Sequence, residues 1–152
     1  MGMYTAHARR QQEQKVQAPP NRSRDAAFLD PSQAILTSAV ARFHTNSDDK
    51  DWDTKLTITI EKGPDQFAKV QDIVGGFPDH SDTGPFGLQI QGVNSKADLR
   101  GATTTLQIVA VNDDTWQFNY FLELTYSDGS VQEFRWFNSQ LTEQQNFKTF
   151  PL

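Results

Sequence analysis

Trp116-Gln117-Phe118-Asn119-Tyr120-Phe121-Leu122-Glu123-Leu124-Thr125 is the stretch that decides the fold. Large apolar side chains at 116, 118, 120, 122 and 124 alternate with Gln117, Asn119, Glu123 and Thr125. A period of two belongs to a β-strand with one dry and one wet face. The same period recurs on both sides of this stretch. Leu56, Ile58 and Ile60 alternate with Thr57, Thr59 and Glu61; Leu106, Ile108 and Ala110 alternate with Thr105 and Gln107. Phe86, Leu88 and Ile90 alternate with Gln89 and Gln91, and Ala39, Ala41 and Phe43 form a further row. Ser127-Asp128-Gly129-Ser130 leads into another run, Val131 to Phe137, and Asp-Gly is a strong hairpin signal. Strands of this kind bury their dry faces by facing a second sheet, so the expectation is an all-β antiparallel sandwich over residues 36–152. Trp116, Phe134 and Trp136 fall on inward rows and are expected in the core. Asp65–Ile73 and Leu141–Asn146 read as weakly helical, and Gly75–Pro85 reads as a long loop.

Composition changes near Leu36. Residues 1–35 contain Ala8-Arg9-Arg10-Gln11-Gln12-Glu13-Gln14-Lys15 and Ala18-Pro19-Pro20-Asn21-Arg22-Ser23-Arg24, polar and mildly basic. Such a segment buries too little apolar surface to offset its ordering entropy, so it is expected to be a flexible arm. A short helical turn fits Asp25 to Leu29. The arm could also dock on a neighbouring subunit and so drive homo-oligomerisation.

The rest of the composition sets bounds. The chain has 152 residues and a net charge of −5, which disfavours a phosphate-tracking surface and hence nucleic acid as a partner. Cysteine is absent, which excludes disulfides, thiolate zinc sites and a cysteine nucleophile. No apolar run approaches the roughly 20 residues of a membrane-spanning helix, and residues 1–35 lack the apolar core of a signal peptide. A soluble protein is expected, with its compartment left open. There is no G-x-S-x-G elbow, phosphate loop or dinucleotide fingerprint, and the three histidines are scattered, so no catalytic residue is assigned.

One segment carries a sharper signal. Asn46-Ser47-Asp48-Asp49-Lys50-Asp51-Trp52-Asp53-Thr54 places four carboxylates within six residues, between two strand patterns. Crowded carboxylates need neutralising. Lys50 and water supply part of that, and a calcium ion with its six to eight oxygen ligands would supply more. The spacing is not that of an EF-hand, because Thr54 stands where the turn glycine belongs and Ile60 where the bidentate glutamate belongs. A second acidic turn, Asn112-Asp113-Asp114, lies between two later strands. Asp48, Asp49, Asp51, Asp53, Asp113 and Asp114 are therefore the candidate calcium ligands. Trp52 interrupts the acids and is expected to be exposed; with His44 it is the candidate for ligand contact.

Two stretches resemble the PLAT domain, also called the LH2 or lipoxygenase-homology domain. One is Val40-Ala41-Arg42-Phe43-His44-Thr45 with the acidic loop and Leu56-Thr57-Ile58-Thr59-Ile60. The other runs from Leu106 through Trp116, Phe121-Leu122-Glu123-Leu124-Thr125 and Asp128-Gly129 to Phe134, Trp136 and Leu141. The glycines usual in the family's first loop are missing here. The resemblance implies an eight-stranded antiparallel sandwich that binds lipid or protein, often with calcium. The expectation is thus a calcium-assisted module recognising a membrane surface or a protein partner. The alternatives are a structural subunit of a particle or fibre, with the arm docked on a neighbour, and a jelly-roll lectin.

Overall fold

A computed structural model describes residues 30–152. Residues 1–29 of the expected arm, with its helical turn at Asp25 to Leu29 and the pair Arg9-Arg10, lie outside the described residues. Among the described residues, nine strands follow a short 3-10 turn at Pro31–Gln33: β1 (Leu36–Thr45), β2 (Lys55–Lys62), β3 (Asp65–Ile73), β4 (Asp82–Gly87), β5 (Gln89–Ile90), β6 (Thr103–Val109), β7 (Thr115–Tyr126), β8 (Val131–Thr142) and β9 (Phe147–Pro151). They form two antiparallel sheets, ordered β4-β1-β7-β8 and β5-β3-β2-β6-β9, packed as a sandwich. The expected all-β class is observed, with nine strands where the resemblance implied eight.

The deciding stretch is the middle of β7. It pairs with β1 on one side and β8 on the other, and every second side chain from Trp116 to Tyr126 is buried. Leu56, Ile58 and Ile60 of β2 and Leu106 and Ile108 of β6 meet that row from the opposite sheet. Phe43 stands at the centre of the aromatic part of the core. Its ring lies 5.0 Å from Trp116, 5.1 Å from Tyr120 and 6.0 Å from Phe77, centroid to centroid. Phe134 and Trp136 pack on the core but remain half-buried at its open flank.

A polar contact joins the two sheets inside this core. Tyr120 Oη on β7 lies 2.9 Å from Thr104 Oγ1 on β6, both buried. Burial pushes the Tyr120 phenol well above its ordinary pKa. Tyr120→Phe should therefore cost about 1–2 kcal/mol in chemical denaturation, because the Thr104 hydroxyl loses its partner in a dry site. An unchanged midpoint would mean that water reaches the Thr104 hydroxyl.

Three elements differ from the sequence reading. Asp65–Ile73 is a strand, β3, not a helix. Its pairing with β2 slips twice: Leu56 faces Ile73 while Ile58 faces Val70, so three residues of β3 span two of β2. The slips break the period of two and give Phe67, Val70 and Ile73 a spacing of three, which imitates a helical stripe. Leu141–Asn146 is the end of β8 plus a turn closed by Thr142 N–H to Gln145 O at 3.0 Å. The row Phe86, Leu88, Ile90 is not one strand. β4 lies in one sheet and β5 in the other, and buried Leu88 is the corner where the chain crosses. The body also starts slightly before the expected boundary, since Ala34 is buried and Ile35 bridges to Ser95.

Candidate functional site: the acidic loop end

β1 and β2 lie in different sheets, so residues 46–54 must cross one end of the sandwich. Strand pairing brings three other connections to the same end: 74–81, 110–114 and 143–146. This end therefore gathers Asp48, Asp49, Asp51, Asp53, Asp79, Asp113, Asp114 and Glu143. Both acidic turns identified in the sequence are here, and all six candidate calcium ligands with them.

Lys50 organises the loop. Its side chain is fully buried, pointing inward from the middle of the acidic run. The ammonium donates to the carbonyl oxygens of Gly75 at 2.7 Å and Asp51 at 3.1 Å, and stands 4.6 Å from the centre of the Phe77 ring. Phe77 is itself buried against Phe43, Phe86 and Trp116. Lys50 and Phe77 also exchange two backbone hydrogen bonds, at 2.9 and 3.3 Å. The loop 74–81 is thus half of the platform rather than a free excursion. Burial pulls the Lys50 ammonium below its ordinary pKa, while Asp114, Asp51 and Asp53 pull it back up.

The carboxylates divide into two groups. Asp114 is buried, and its Oδ2 accepts the backbone N–H of Asp51 at 3.0 Å, tying the two acidic loops together. Asp51 and Asp53 are half-buried beside it, and Asp48 and Asp49 are exposed. Asp51 is held above its ordinary carboxyl range, first by burial and then by Asp114, Asp49 and Asp53. Asp113, exposed and with φ of 61°, hydrogen bonds to Glu143 and raises its carboxyl. Among the described residues, no group of three or more His, Cys, Asp or Glu side chains converges as a metal centre.

A raised carboxyl stabilises the fold at pH below its unfolded value and loses that contribution as pH climbs through the folded value. Asp51→Asn should therefore melt higher than the wild type at neutral pH. That advantage should vanish below the ordinary carboxyl value of 3.8. Equal melting temperatures at neutral pH would mean that the neighbouring acids do not act on Asp51.

Trp52 projects from this frame and is 74% exposed. Its backbone is held: Gly75 N–H donates to Trp52 O at 2.9 Å, and Thr54 N–H to Asp51 O at 3.2 Å. Exposed Val74 and Val111 lie at the same end. His44, the other ligand candidate, is turned to β4, with Nδ1 2.7 Å from Asp82 Oδ1. It does not join the loop acids. Trp116 is wholly buried, and its Nε1–H donates to Thr45 Oγ1 at 3.1 Å at the foot of the loop.

Sequence reading missed Lys50 as an inward group and missed Phe77 and Glu143. A lone cation amid acids was visible, and so was an aromatic in a polar Gly-Gly-Phe-Pro loop. Neither signal says which way a side chain points. No family model matches the chain, and no curated protein matches it.

Proposed function

We propose that this protein is a non-catalytic binding module whose acidic loop end seats on a protein surface that is basic around an apolar centre, with Trp52 as the anchor. The observation that carries this reading is a large exposed aromatic on a backbone already fixed from below. A preorganised tryptophan gives contact area at small entropic cost, and such residues dominate interface energetics. Asp48, Asp49, Asp53 and Asp113, gathered at the same end as Trp52, favour basic partners and repel anionic headgroups.

Calcium-assisted contact with a membrane surface or protein is the second reading. It is favoured by the all-oxygen donor set of Asp48, Asp49, Asp51, Asp53, Asp113 and Asp114 at one end, which suits a hard cation. Calcium binding only the folded loop raises the melting temperature in proportion to RT ln(1 + [Ca²⁺]/Kd). A calcium titration of the melting curve separates the two readings. A rise that disappears in Asp51→Asn/Asp53→Asn favours the ion; no rise favours Trp52 acting on a loop neutralised by Lys50.

The first reading is tested by affinity capture with wild type and Trp52→Ala side by side. Trp52→Ala should weaken partner binding by about 30-fold, the effect of a hot-spot residue worth about 2 kcal/mol. Its folding stability should stay within about 0.5 kcal/mol, because the ring is exposed. A captured set identical for both proteins would contradict the reading.

A further inference from the structure

The two sheets have four edges. Three are blunted: β4 carries Pro85, β5 has two residues, and β9 has five and ends in Pro151. Short strands and prolines are the usual devices against edge-to-edge pairing. The fourth edge, β8, has twelve residues and no proline. Among the described residues, nothing pairs with β8 on the side away from β7. The outward side chains of its regular part are Val131, Glu133, Arg135 and Phe137, all exposed.

We propose that β8 pairs antiparallel with β8 of a second copy about a two-fold axis at Phe134, joining two four-stranded sheets into one. The order of side chains supports this register. Pairing about Phe134 sets Glu133 against the second copy's Arg135, twice, and exposed Val131 against exposed Phe137, twice. Opposite charges and apolar pairs directly across a ladder are stabilising; a slip by two residues sets like charges or apolar against charged groups. Within one copy, Glu133 and Arg135 already meet at 3.1 Å, so the same charges only exchange partners. On the inner face, half-buried Phe134 and Trp136, stacked 5.8 Å apart, stand at the open flank that a second copy would close. The pairing ends after Phe137, where the strand bulges: its register with β7 shifts between Trp136 and Ser139, and Asn138 has φ of 56°. The contact is isologous, so it closes at two copies and does not propagate into a fibre.

The test is sedimentation velocity of the full chain over a concentration series, with two charge reversals. The wild type should form a dimer. Glu133→Arg and Arg135→Glu each place two like-charge pairs in the contact and should weaken self-association by about a hundredfold. Circular dichroism should show both variants folded, since the two positions are exposed. Mixed together, they present arginines to glutamates at every pair, so the dimer should return as a heterodimer. A wild type that stays monomeric at every concentration overturns the proposal. So does a dimer indifferent to both reversals, or a mixture that does not re-associate.

Discussion

Lys50→Met should lower folding stability by about 2–3 kcal/mol in chemical denaturation. Methionine keeps most of the buried stem, so little packing is lost. What is lost is the ammonium that serves the carbonyls of Gly75 and Asp51 and faces Asp114, Asp51 and Asp53. Two terms oppose each other. Removing a buried charge recovers its desolvation cost, which is the larger influence on the Lys50 pKa. Against that stand the Gly75 carbonyl left without its donor, the Asp51 carbonyl left with the Thr54 amide alone, and a buried Asp114 left without a counter-charge. Charge-assisted hydrogen bonds are each worth about 1.5–3 kcal/mol, so the loss wins. The cycle with Asp114→Asn isolates the charge term: the double variant should recover part of the deficit. A Lys50→Met protein as stable as the wild type would show that the ammonium reaches water and that the acidic loop has no internal counter-ion.

Leu122→Ala should cost about 2–5 kcal/mol, and Glu123→Ala less than about 0.5 kcal/mol. The two neighbours differ only in which face of β7 they occupy. Leu122 is 1% exposed, in the row that meets the opposite sheet. Its truncation removes apolar contact and leaves a cavity in the packed interior. Glu123 sits on the outer face between Val40 and Glu133. Similar losses at both positions would place the strand in a different register.

How much of this was legible in the residues follows from what sets each feature. β7, β1, β2 and β6 were readable because burial on one face imposes a period of two on the sequence itself. β3 was not, because its two slips are set by pairing with β2, and pairing leaves no period in the bulged strand. The crossing at Leu88 was hidden for a related reason: Phe86, Leu88 and Ile90 keep their alternation although the chain changes sheets between them. At the candidate site, the density of aspartates and the exposure of Trp52 were visible. The inward turn of Lys50 was not, since it depends on Phe77 and Gly75 arriving from a connection 25 residues away. His44 was placed at the right strand end, yet its carboxylate partner is Asp82 of β4 rather than an acid of the loop that follows it.

Amide hydrogen exchange tests most directly whether the acidic loop is a fixed platform for Trp52. In the wild type, the amides of Asp51, Thr54, Gly75 and Phe77 should be protected, because each donates to a partner within the loop end. In Lys50→Met, the same amides should lose protection ahead of those of β7 and β2. Wild-type loop amides that exchange as fast as an unstructured chain, with or without Lys50, would contradict the account.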